Sequence, residues 1–91
     1  MPMFAVTRYL PGLTAQQFGA LRRALTEAAR RVSAEGQVVG YLRSTYVPAR
    51  GQCVCVFMAN TADAVVRANE VAQVPFSTVD EAVETPAATC G

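Results

Sequence analysis

The apolar positions fall into six segments that switch between a two-residue and a helical repeat. Residues 3–10 (MFAVTRYL) are rich in aromatic and β-branched types and read as a strand. Pro11-Gly12 stops it. Thr14, with Gln17 three residues later, forms a capping box that opens a helix. Phe18, Leu21, Leu25, Ala28 and Val32 then recur at helical spacing and leave Arg22, Arg23, Arg30 and Arg31 mostly outward. Gly36 supplies the C-terminal stop. Residues 37–47 form a second β segment carrying Val38, Val39, Tyr41, Leu42, Tyr46 and Val47, closed by Pro48. Ala49-Arg50-Gly51 turns the chain into a third strand over residues 52–59, which predicts a hairpin. Asn60 or Thr61 caps a second helix over residues 61–73, with Ala62, Val65, Ala68 and Ala72 toward the core. Phe76 to Val83 is the fourth strand, and residues 85–91 read as a flexible tail.

The order β-α-β-β-α-β, without repeat or linker, predicts one α+β domain over residues 1–84. It is a ferredoxin-like sandwich: a four-stranded antiparallel sheet with both helices on one face. Along the third strand Val54, Val56 and Met58 alternate with Cys53, Cys55 and Phe57, so neither face suits water. Helices cover only one face. The other is expected to be buried by a second copy packing sheet on sheet, with a cavity between the sheets or beneath the helices.

Composition narrows the chemistry. Ninety-one residues with 52% hydrophobic and 16% charged positions make one small domain, and the net charge is +1. There is no His, Trp, Lys or Ile, and all eight basic residues are Arg. Without His, one chain holds no Ser-His-Asp triad, no Cys-His pair and no His-built metal centre. The near-neutral balance leaves no footprint for nucleic acid or an acidic membrane surface. The Arg pairs read as a solvated helix face salted with Glu27 and Glu35. No apolar run is long enough for a membrane span, and Met1-Pro2-Met3-Phe4 does not open like a signal peptide. Three Cys is an odd count, and Cys53 and Cys55 lie too close along one strand to pair comfortably. A reduced, cytoplasmic setting is expected.

Short blocks spread over residues 3–84 carry a family resemblance. They are Tyr9-Leu10-Pro11-Gly12-Leu13-Thr14, Leu42-Arg43-Ser44 with Tyr46-Val47, Cys53-Val54-Cys55-Val56-Phe57, and Val66-Arg67-Ala68-Asn69-Glu70 with Val74-Pro75-Phe76. In these the chain resembles a small bacterial domain-of-unknown-function family of dimeric ferredoxin-like α/β-barrel proteins. One branch of that family is known as nickel-binding proteins. The resemblance implies the fold, a homodimer and an internal cavity. The nickel branch presents His among its ligands, and this chain has none. Met58 and Asn60 also replace the acidic residue and Pro that usually follow the third-strand aromatic. No metal ligand therefore carries across.

Two groups of residues are candidates for chemistry. Tyr9, Tyr41, Arg43, Tyr46 and Phe57, with Arg8, form an aromatic and Arg set on strands. Such residues line apolar small-molecule cavities, where an Arg selects a carboxylate or polarises a carbonyl. The same composition also suits a dimer interface. Period-2 alternation places Arg8 opposite Tyr9, and Tyr41 with Arg43 opposite Tyr46. Cys53 and Cys55 share one strand face about 7 Å apart at Cα. With Met3 or Cys90 they are a soft donor set for Cu(I) or Zn; equally, they are small buried apolar residues. Asn69 is placed to bond the chain before Pro75. Asp80, Glu81 and Glu84 read as edge-strand charges, with Asp80 and Glu84 on one face.

The expected function is small-molecule binding by a homodimer with an apolar cavity lined by Tyr and Arg. One alternative, by analogy of fold, is a cofactor-independent oxygenase, cyclase or isomerase acting on a hydrophobic substrate, with Tyr41, Arg43 and Tyr46 leading. The other is soft-metal binding through Cys53 and Cys55; no other cofactor is expected.

Overall fold

The computed structural model describes residues 1–85. Its elements are β1 (Met3–Tyr9), α1 (Ala15–Ala34), β2 (Val39–Val47), β3 (Gln52–Ala59), α2 (Ala62–Ala72) and β4 (Thr78–Ala82). They form one sheet in the order β2-β3-β1-β4, antiparallel throughout. This is the ferredoxin-like α+β arrangement that the element order predicts. All but one residue of the tail expected at 85–91, and with it Cys90, lies outside the described residues.

The local signals act as anticipated. The Thr14 hydroxyl accepts the Gln17 amide at 3.1 Å and the Gln17 side chain accepts the Thr14 amide at 2.9 Å, closing the capping box of α1. At its other end Gly36 leaves the helix at φ +108°. Ser33 then bonds both backbone groups of Val39, so the last turn of α1 fixes where β2 starts. β2 and β4 each begin two residues later than expected, at Val39 and Thr78. At β2 the Gln37 amide still closes back onto the Val32 carbonyl. Thr61 is the cap of α2, and Asn60 is not. No helix among the described residues is long and apolar enough to cross a membrane.

Register sorts the two sheet faces. Phe4, Val6 and Arg8 of β1 stand opposite Phe57, Cys55 and Cys53 of β3, and all six are buried beneath the helices. Leu21, Leu25, Ala29 and Val32 of α1, with Ala64, Val65 and Ala68 of α2, complete that core. Met3, Ala5, Val54, Val56 and Met58 point to the other face and remain only half-buried. Nothing among the described residues packs over them as a second layer.

One backbone position ties the hairpin to β1. Gly51 sits at φ +62° and its carbonyl accepts the Leu10 amide at 2.7 Å. A methyl group there would come within 2.9 Å of the Tyr9 ring and 3.0 Å of the Pro11 Cα. At Gly12, φ is +72° but the space beside it is open. Gly12→Ala is expected to cost about 1–2 kcal/mol for the left-handed conformation alone. Gly51→Ala is expected to cost about 3 kcal/mol, because overlap adds to strain. Urea unfolding of the two variants measures the difference; equal costs would remove the contact with Tyr9 and Pro11 from the account.

Candidate functional site

The site begins at an irregularity in β2. Tyr41 pairs with Phe57 and Arg43 pairs with Val56, so Leu42 is an extra residue between them. Beyond this bulge Ser44 stands opposite Cys55 and Tyr46 opposite Cys53. A bulged residue shifts alternation by one, and side chains that would have faced apart come together. Tyr41, Ser44 and Tyr46 therefore all lie on the helix side, while Arg43 lies on the open side. This corrects the expectation that Tyr41 and Arg43 share a face opposite Tyr46.

Behind the bulge runs a line of polar side chains that reaches into the core. The Tyr41 hydroxyl lies 2.7 Å from the Ser44 hydroxyl, which donates to the Cys55 sulfur at 2.8 Å. The Cys55 and Cys53 sulfurs are 3.8 Å apart, and both cysteines are fully buried. Across the register from Cys53 is Arg8, also buried. Its guanidinium donates to the Asn69 side-chain oxygen at 2.6 Å and makes longer contacts to the Val74 and Pro75 carbonyls. The Arg8 Nε has no partner. The ion pairs among the described residues, Arg30–Glu27 and Arg43–Glu84, leave Arg8 without a carboxylate. Asn69 thus serves the loop before Pro75 indirectly: its side chain holds Arg8, and Arg8 reaches the loop carbonyls.

Titration follows this environment. Burial, then the neighbouring Cys55, pushes the Cys53 thiol up to about 12, against a smaller opposing pull from Arg8. Burial also raises the Tyr41 phenol, so near neutral pH it stays an uncharged hydrogen-bonding group.

On the solvent side of Tyr41 and Ser44 a cavity of about 390 Å³ opens between α1 and β2. Ala15, Phe18, Gly19 and Arg22 form one wall; Tyr41, Leu42, Arg43 and Ser44 form the other. A second, shallower hollow of about 490 Å³ joins Tyr9, Pro11 and Leu13 to Ala20, Leu21 and Ala24. It is lined mainly by apolar groups and holds no cation.

The five residues singled out from sequence do not form one cluster. Tyr41 and Arg43 border the cavity. Phe57 is buried behind Tyr41, with ring centroids 5.4 Å apart. Tyr46 fixes the turn into α1, donating to the Leu10 carbonyl at 2.6 Å and accepting the Leu13 amide at 3.1 Å. Tyr9 is 67% exposed and lines the other hollow. Met3 pairs with Met58 on the open face, away from the two cysteines, so it is no partner for them. Glu84 lies beyond β4 rather than within it and pairs with Arg43. Sequence reasoning missed Arg22, placed on a solvated face, and Ser44, whose position depends on the bulge.

Residues 4–82 match the family described as nickel responsive protein SCO4226-like. The chain belongs to that family. A crystal structure of SCO4226 from Streptomyces coelicolor A3(2) has the same fold, with a TM-score of 0.79 at 20% identity. The superposition covers 92% of this chain and 99% of that one. No curated protein matches the chain. Family membership accounts for the sandwich and says nothing by itself about which side chains of this member act.

The buried thiol gives the fold a pH signature. Cys53 keeps its proton in the folded state at pH values where the unfolded chain loses it, because burial lifts it from 9.0 to about 12. Stability is therefore full below pH 9 and falls as pH rises through that window toward 12. Tyr41 adds in the same direction. Urea midpoints measured from neutral to alkaline pH are expected to decline, and the decline is expected to be shallower in Cys53→Ala. An unchanged slope in that variant would assign the titration to another group.

Proposed function

We propose that the protein is a homodimeric small-molecule-binding module of the reducing cytoplasm. Its ligand is an apolar molecule that ends in an anionic group. The observation that carries this reading is the cavity between α1 and β2. Phe18 and Leu42 offer it apolar surface, Tyr41 and Ser44 line its β2 wall with hydroxyl groups, and Arg22 stands on the α1 wall opposite. Few polar groups in an otherwise apolar hollow orient a ligand, and guanidinium groups favour carboxylates. Arg22 has no carboxylate partner among the described residues, whereas Arg43 already holds Glu84. An anionic ligand in the cavity would satisfy Arg22.

The dimer is supported by the open sheet face. Met3 with Met58 and Ala5 with Val56 are apolar cross-strand pairs, and Val54, opposite Thr7, extends the apolar strip along β3. A self-complementary sheet-on-sheet contact buries such a strip with one symmetry operation. The two free, buried cysteines fit a reducing compartment.

Nickel, which the family description names, does not fit the donors of this chain. A nickel site gathers several N, O or S donors around one point. There is no His, and no three of Cys, Asp and Glu come together among the described residues.

Anilinonaphthalene sulfonate, an aromatic anion, tests the cavity by fluorescence titration. Arg22→Gln is expected to weaken its binding about tenfold, the loss of one charge-assisted hydrogen bond. Arg67→Gln on the exposed side of α2 is expected to leave it unchanged. Equal effects of both would reduce the binding to general surface charge. Light scattering of the same samples is expected to give a dimer, and Val56→Glu a folded monomer. A wild-type monomer at low micromolar concentration would overturn the dimer while leaving the cavity reading intact.

A further inference from the structure

The core contains a charge problem that the proposed ligand site does not solve. Arg8 is buried with its Nε unpartnered, and no carboxylate faces it among the described residues. Burying a guanidinium without a counter-charge is costly, and carbonyl contacts offset only part of that cost. Across the register from Arg8 stands Cys53, whose sulfur lies 3.8 Å from that of Cys55 on the same strand face. Each thiol can become an anion by losing a proton. Two thiolates next to one guanidinium overshoot by one negative charge, and a single monovalent cation between the sulfurs restores neutrality.

From this we propose that Cys53 and Cys55 form a buried site for one thiophilic monovalent metal ion of the Cu(I) class, with Arg8 as its counter-charge and Ser44 as its hydrogen-bond donor. Four features converge on it. The i and i+2 positions on β3 aim both sulfurs at the same side, and their separation needs only modest side-chain rotation to admit an ion. Thiolate donors select Cu(I) over harder ions. The Ser44 hydroxyl already donates to the Cys55 sulfur at 2.8 Å, the kind of outer contact that orients a metal ligand and tunes it. Finally, Ser44 and Tyr41 also line the solvent cavity, so an ion entering there is one side-chain layer from sulfur. A divalent ion suits the site less well. Two thiolates would neutralise it and leave Arg8 uncompensated, and zinc would still lack two of its usual four ligands.

The binding step balances without redox chemistry. Two S–H bonds break, two metal–sulfur bonds form, two protons pass to solvent and the metal stays at +1. The site does not depend on the dimer, and it shares Ser44 and its access route with the anionic-ligand cavity proposed above.

Anaerobic titration of the reduced protein with Cu(I), against the competing chelator bicinchoninate, tests it. One Cu(I) per chain is expected to be withdrawn from the chelator. Cys53→Ser and Cys55→Ser are expected to abolish that binding, and Cys90→Ser to retain it. Ser44→Ala is expected to weaken it about tenfold, as for other partners of metal ligands. Circular dichroism of each variant separates lost binding from lost fold. X-ray absorption on the wild-type protein provides a reading that needs no mutation, with sulfur as the only nearest neighbour of copper. Failure of the wild-type protein to withdraw Cu(I), nitrogen or oxygen neighbours at the copper, or loss of binding in Cys90→Ser would each overturn the proposal.

Discussion

The pairing of β1 with β3 is the constraint from which the rest of the molecule follows. It sets Phe4 opposite Phe57, Val6 opposite Cys55 and Arg8 opposite Cys53, and it sends all six toward the helices. A slip of one residue would exchange the faces and place Thr7 where Arg8 now reaches Asn69. Arg8 makes that slip expensive. Its guanidinium is anchored on α2 through Asn69 and on the segment entering β4 through two carbonyls. One long side chain on a central strand thus fastens the second half of the fold to the first, and its burial adds specificity to a core otherwise built from small apolar residues.

The bulge at Leu42 works on the edge of that frame. By adding one residue to β2 it keeps Tyr41, Ser44 and Tyr46 on the same side and turns Arg43 to the other. Tyr46 then holds the turn into α1, and Tyr41 with Ser44 closes the inner end of the cavity. The cavity and the buried sulfurs are therefore two ends of one hydrogen-bonded line. A polar line into an apolar core is stable when its members are satisfied, and the one atom left over, the Arg8 Nε, marks where the interior charge is unbalanced.

Much of the fold was legible because local physics is strong at the punctuation points. The Thr14–Gln17 box, the Pro11-Gly12 and Pro48-to-Gly51 turns and the stop at Gly36 place most element ends within two residues. The site was less legible. Gly40 beside Tyr41 is the one local hint of a bulge, and alternation counted straight through Leu42 puts Tyr41 and Tyr46 on opposite faces. Arg22 is one of four outward Arg on α1, and only the packing of that helix against β2 distinguishes it from the others. Phe57 is the reverse case, an aromatic with the profile of a cavity wall that packing assigns to the core.

Sequence by itself determined the element order, the one-sided helical layer and the exclusion of histidine chemistry. Each of these depends on residue identity or on spacing within a few positions. Tertiary structure alone decided that Arg8 is buried, because its partners lie 61 to 67 residues away along the chain. It also decided that the Cys55 sulfur meets a serine hydroxyl and that Cys53 stands across from Arg8. Burial and charge balance are properties of surroundings, and in this chain those surroundings come from four different elements.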